Sequence, residues 1–245
     1  MSNAAPVLLE LDGPIATIRL NRPDEGNRLT TPVFTLLTRY LDDLARDGAI
    51  RVLCLTAAGP DFSLGRRGTT TEPLASAFHE EFRLVQACNE ALVAFPGISL
   101  ALVRGRAVGA GCSLACRCDV VLAADDARFS FPEIPQGIAP TIVLSYFGKK
   151  LPAKPLLHML LTGREIDPEE AQRIGLVSEV VPAAQFDDRG RELARQFAGL
   201  DANVVRLCKE FLGRLDRLTV DDAAAYGIAR LAIAAEESAR QQAAH

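Results

Sequence analysis

The period of the apolar positions changes several times along the chain, and each change marks an element. Residues 7–11 and 15–20 are short strand-like runs separated by Asp12, Gly13 and Pro14, a pattern that predicts a β-hairpin. A polar loop follows over 21–27. Thr31-Pro32 then opens a helical pattern in which Val33, Leu36, Leu37, Tyr40, Leu41 and Leu44 share one face. The apolar run 52–56 predicts a buried strand, and a glycine-bearing loop spans 57–68. A long helix is predicted over 74–95, with Phe78, Phe82, Val85, Cys88, Leu92 and Phe95 on one stripe and Pro96-Gly97 as its stop. Residues 99–103 predict the next buried strand. Gly105, Gly109 and Gly111 punctuate a turn into a short helix ending near Cys116, and 119–124 returns to strand.

Strand, loop, helix and strand thus recur, which predicts a wound α/β architecture with largely parallel strands. From Pro140 onward the pattern is mostly helical. Asp167-Pro168-Glu169-Glu170 is a helix start, with an aspartate cap, proline in the first turn and acids at the positive end of the dipole. Gly175 is placed to stop that helix, 177–181 is a brief extended piece ended by Pro182, and the rest alternates Ala, Leu and Arg at helical spacing. The expected organisation is an α/β core over 1–181 and a helical C-terminal region over 182–245. With 245 residues, 49% of them hydrophobic, the chain has material for one large core rather than two independent ones.

Charge narrows the function classes. The 27 basic and 31 acidic residues are interspersed, so no phosphate-tracking surface is advertised and nucleic acid is not an expected partner. No apolar stretch approaches the roughly 20 residues of a membrane span, and the N-terminal segment lacks the basic start and apolar run of a signal peptide. The expectation is a cytoplasmic protein with no membrane partner. The cysteines Cys54, Cys88, Cys112, Cys116, Cys118 and Cys208 are expected to be reduced. Cys112, Cys116 and Cys118 lack the paired spacing and histidine partners of a zinc site, so they are expected to be small buried apolar residues, with no metal.

Candidate chemistry sits at two strand-to-loop junctions. One is Asp61-Phe62-Ser63-Leu64-Gly65-Arg66-Arg67-Gly68; the other runs from Gly105 through Gly109, Ala110 and Gly111 to Ser113. Glycine at such turns permits positive φ and lets backbone N–H groups approach a ligand. The second junction opens a helix, whose N-terminus favours negative charge. Two such sites facing one oxygen would form an oxyanion hole. Three rival readings exist. Ser113 has no Gly-x-Ser-x-Gly elbow and few histidines to work with as a hydrolase nucleophile; Gly105, Gly109 and Gly111 have the wrong spacing for a dinucleotide fingerprint; and a catalytically silent binding protein would retain the hole alone.

The ordered segments Asn21-Arg22-Pro23 with Gly26-Asn27-Arg28-Leu29, Phe62-Ser63-Leu64-Gly65, Gly105 to Ser113 with Cys118-Asp119, Phe131-Pro132-Glu133 with Gly137, Leu161-Thr162-Gly163, and Gly175-Leu176-Val177 resemble the landmarks of the enoyl-CoA hydratase/isomerase, or crotonase, family. The resemblance implies a crotonase-like α/β spiral of ββα turns with a helical C-terminal region that mediates trimers, often stacked as hexamers. It implies an acyl-CoA thioester as substrate, with coenzyme A part of that substrate and no separate cofactor. It places the oxyanion-hole donors on the backbone N–H of Arg66 and of Ala110. Contacts to substrate and CoA are implied at Arg28, Leu64, Arg66, Arg67, Gly68, Thr69 and Ala110.

Two departures from the family pattern matter. Members commonly have Ala-Asp where this chain has Arg66-Arg67. Solvent exposure is the simpler expectation for those side chains; a partner for CoA phosphates or for an acidic acyl group is the alternative. Of the two glutamates flanking the hole in the family's hydratases, one matches Glu133 and the other matches Ser113, which cannot act as a carboxylate base. A single carboxylate suffices to move a double bond by taking and returning a proton, so the departure favours isomerase-like chemistry over hydration. Serine here also resembles a hydratase-lyase branch that pairs its glutamate with a tyrosine, for which Tyr226 is a candidate, although a tyrosine in an Ala-rich helix more simply packs. A Glu133 carboxyl in an apolar pocket would have a raised pKa suited to proton transfer.

Overall fold

The computed structural model describes residues 5–68 and 75–243. The strands are β1 (Val7–Asp12), β2 (Ile15–Leu20), β3 (Val52–Ala57), β4 (Ile98–Val103), β5 (Arg106–Val108), β6 (Val120–Ala124), β7 (Arg128–Ser130) and β8 (Glu179–Val181). The α-helices are α1 (Thr31–Arg46), α2 (Ala75–Ala94), α3 (Ala110–Ala115), α4 (Thr141–Phe147), α5 (Ala153–Thr162), α6 (Pro168–Arg173), α7 (Phe186–Ala198), α8 (Ala202–Leu212) and α9 (Val220–Ala243).

β1 and β2 form the expected antiparallel hairpin, Val7 opposite Leu20 and Asp12 opposite Ile15. Every later pairing in the main sheet is parallel, giving the order β1-β2-β3-β4-β6-β8. The central strands read as continuous apolar runs because both faces of the sheet are covered. Their alternate residues divide accordingly. Leu53, Leu55, Ala101, Val103, Val121 and Ala123 join the core shared with α1 and α2. Val52, Cys54, Leu100, Leu122 and Ala124 pack instead on Phe186, Leu193 and Ala194 of α7. Each buried valine or leucine among them stabilises the sandwich by about 1.5–3 kcal/mol.

Local signals read from sequence act as expected at several ends. The Asp167 carboxylate accepts from the Glu170 N–H at 2.7 Å and caps α6, and Gly175 stops it at φ +88°. The stripe of α2 departs in one place: Val85, Cys88, Leu92 and Phe95 are buried, but Phe78 is 48% exposed. It lies one turn from the helix start and packs at a tilt against Phe82, ring centroids 4.6 Å apart. β8 is also shorter than the extended piece expected over 177–181, because the Val177 N–H turns back to the Ala171 carbonyl.

Sequence periodicity misses a second layer. β5 and β7 pair in parallel, Arg106 with Arg128 and Val108 with Ser130, where a bare turn was expected after Gly105. Three-residue strands are too short to show a period. The layer is continued by two parallel bridges, Leu29 with Arg66 and Ser63 with Ala107. These bridges draw both glycine junctions to one side of the molecule.

Candidate active site

The first junction is fixed by Asn27, buried and held at φ +49°. Its Nδ2 donates to the carbonyls of Ala58 and Asp61, each at 2.8 Å, while its Oδ1 accepts from the Arg22 N–H. Its own carbonyl accepts from Ser63 Oγ at 2.8 Å. The Leu64 N–H donates to the Gly26 carbonyl and the Leu29 N–H to the Gly65 carbonyl, so residues 62–67 are laced to 26–29. The polar loop seen in the sequence is therefore a bracket for the junction.

The second junction approaches so closely that side chains are excluded. A Cβ on Gly105 would lie 1.9 Å from the Pro60 carbonyl oxygen, and one on Gly111 would lie 2.6 Å from the Ser63 Cβ. Gly65, at φ +87°, would place a Cβ 2.9 Å from the Val108 oxygen and 3.9 Å from the Ala110 nitrogen. Gly109, at φ +51° and ψ −118°, donates its N–H to the Ser130 carbonyl and caps α3. The residues following these two turning points are Arg66 and Ala110. Among the described residues neither backbone N–H meets a hydrogen-bond acceptor.

Both junctions open on a cavity of about 440 Å³. Arg28, Leu64, Arg66, Ala110, Ser113 and Glu133 all line it. Arg67 and Gly68 do not, and Thr69 lies outside the described residues. The Arg28 Nη1 donates to the Leu64 carbonyl at 3.0 Å. Simple solvent exposure holds for Arg67, whose side chain is 63% exposed beside Glu25. It does not hold for Arg66. That side chain is only 18% exposed, paired with Glu81 at 2.5 Å and lying 4.6 Å from the Phe82 ring centroid. Two residues of α2 thus draw the guanidinium into the cavity wall.

Glu133 follows β7 and the fully buried Phe131. Its Oε1 faces Gly109, and its Oε2 is buried with no hydrogen-bond partner among the described residues. Burial raises its pKa above the ordinary 4.5. Ser113, on α3, is buried and accepts a hydrogen bond from Arg117 Nε at 3.2 Å. Tyr226 is not among the lining residues; its ring stacks on Phe211 at 5.8 Å, which is the packing role. Cys112, Cys116 and Cys118 are buried around α3.

Several lining residues escaped the sequence reading: Phe82, Val85 and Asn89 from α2, and Gln136 with residues 138–143. The apolar stripe of α2 gave no hint that one part of it faces a cavity. Arg117 escaped as well, although an arginine four residues after Ser113 within a Cys-Ser-Leu-Ala-Cys-Arg-Cys run was a signal of a buried cation.

A family model described as enoyl-CoA hydratase/isomerase matches residues 10–236. The chain is 34% identical over 211 residues to a probable enoyl-CoA hydratase of Mycobacterium tuberculosis, covering 85% of this chain and 81% of that protein. It is 30% identical over 215 residues to a putative enoyl-CoA hydratase of Thermus thermophilus, covering 86% and 85%. Its structure is similar to an enoyl-CoA hydratase of Mycobacterium smegmatis, with a TM-score of 0.90, 26% identity, and 94% and 91% of the two chains covered. Paired glycine junctions over one cavity, a crotonase-type fold and a family match along most of its length lead to one conclusion: this chain belongs to the enoyl-CoA hydratase/isomerase family.

Proposed function

We propose that the protein is an acyl-CoA enzyme that holds the thioester oxygen between the N–H groups of Arg66 and Ala110 and shifts a double bond by proton transfer through Glu133. The observation that carries the reading is the position of Glu133: a desolvated carboxyl, its Oε2 without a partner among the described residues, against the same glycine turn that precedes one of the two unspent N–H groups. Donors at the oxygen stabilise the negative charge that develops when the α-proton leaves. A carboxyl with a raised pKa accepts that proton near neutral pH and returns it to the other end of the allylic system. Ser113 has a hydroxyl that is not a base at this pH, and Glu165, which also lines the cavity, is exposed, so the proton carrier is assigned to Glu133, buried against Gly109. Arg28, at the cavity edge, is assigned to the CoA phosphates.

Incubation with 2-enoyl, 3-enoyl and aromatic enoyl-CoA esters, followed by product analysis, tests this. Interconversion of 3-enoyl and 2-enoyl esters without water addition is expected. Formation of 3-hydroxyacyl-CoA at comparable rate would instead assign hydration. Binding of saturated acyl-CoA without any turnover would mark a silent binding protein.

A further inference from the structure

Arg117 is 5% exposed. Its guanidinium lies 4.2 Å from the Tyr146 ring centroid and 5.5 Å from that of Phe147. Nε donates to Ser113 Oγ and Nη2 to the Ile142 carbonyl at 2.9 Å. Among the described residues, no carboxylate is within ion-pairing distance of it. Two other guanidiniums of this cavity are differently served, Arg66 by Glu81 and Arg106 by both oxygens of Asp61, while Arg28, which is not buried, donates to the Leu64 carbonyl. A buried cation without a counter-ion is costly, and aromatic faces and one carbonyl offset only part of that cost.

Ser113 and Ile142, the two groups that Arg117 holds, both line the cavity. Because Ser113 Oγ spends a lone pair on Arg117, its O–H points elsewhere, and it meets no acceptor among the described residues. The same cavity contains Asn89, whose buried Nδ2 also lacks a partner. Besides the backbone N–H groups of Arg66 and Ala110, the interior therefore presents the Ser113 hydroxyl and the Asn89 amide as unspent donors, the first of them polarised by a buried positive charge. A neutral hydroxyl on a ligand would satisfy the donors but leave the charge; an anionic oxygen answers both.

We propose that Ser113, backed by Arg117, is a carboxylate-binding site, and that the substrate is a CoA thioester whose acyl group carries a second carboxylate. This rests on the acyl-CoA reading above. Ser113 donates to the carboxylate, and Arg117 is a positioning residue that orients Ser113 and supplies charge through it.

Calorimetry with matched saturated esters tests the site: butanoyl-CoA against succinyl-CoA, and hexanoyl-CoA against adipoyl-CoA. In at least one pair the carboxylated ester should bind about tenfold or more tightly, as expected of a charge-assisted contact. That ratio should collapse in Ser113→Ala and in Arg117→Leu, and recover in part in Arg117→Lys. Ser113→Ala removes a single oxygen, so it carries the test even if Arg117→Leu fails to fold. Equal affinities within both pairs, or a ratio unchanged in Ser113→Ala, would overturn the carboxylate site while the neutral esters still bind. No binding of any of the four esters would overturn the acyl-CoA reading itself.

Discussion

The α-hydrogen of Gly109 faces the carboxyl of Glu133 so closely that a Cβ there would lie 3.0 Å from Oε1. Backbone conformation adds to the demand, since φ +51° with ψ −118° is a region that L side chains rarely adopt. Gly109→Ala should therefore cost about 1–3 kcal/mol of stability and lower turnover by displacing Glu133. Thermal unfolding and steady-state rates on the same preparation check both. A variant with native melting temperature and native rate would show that the turn tolerates a methyl group.

Glu133→Gln keeps the shape of the site and removes the base. Turnover should fall by about 10²- to 10⁴-fold, the size of a positioned acid–base contribution, while the affinity for saturated acyl-CoA stays near the native value. Wild-type rates in this variant would remove Glu133 from the mechanism.

The raised pKa of Glu133 fixes the sign of two pH effects. Burial favours the protonated form, so its contribution to stability is present at low pH and is lost as pH rises through the folded-state pKa. Wild type and Glu133→Gln should then diverge as pH rises, with the glutamine variant gaining relative stability. Activity that needs the ionised form should rise over the same window, with the acid limb of kcat/KM lying above 4.5. A limb at or below that value would show a solvated carboxylate.

Burial also governs the thiols. It pushes Cys54 up to about 11 and Cys88 up to about 12, and raises Cys112 and Cys118 well above the ordinary value. Cys208 is exposed. A thiol reagent at neutral pH should titrate no more than one group quickly in the native protein, and six after unfolding. Rapid reaction of several thiols in the native state would contradict the packing around α3.

The C-terminal helices leave apolar side chains in solvent: Val220 is 87% exposed, Ile228 72% and Leu231 66%. Such a surface on one chain predicts assembly. Light scattering should give a trimer or hexamer, and Ile228→Asp together with Leu231→Asp should shift it toward monomer. A monomer mass across a tenfold range of concentration would argue against assembly through this face.

What the sequence determined by itself was local or ordered. The hairpin at Asp12-Gly13-Pro14, the cap at Asp167 and the apolar runs of β3, β4 and β6 follow from short-range rules, because each is specified by a few adjacent residues. The landmarks around Asn27, Gly65, Gly109 and Glu133 named the family because their order along the chain is itself the signal. Tertiary structure decided the rest. β5 and β7 exist only as a pair, each too short to declare itself alone. Arg66 looked like a surface cation until α2 brought Glu81 and Phe82 to it from fifteen and sixteen residues away. Arg117 looked like one more charge after α3 until Tyr146, Phe147 and the Ile142 carbonyl closed around it. Charge and hydrogen-bonding capacity are written in the residue type, but whether they are spent is a property of neighbours that only the folded chain assembles.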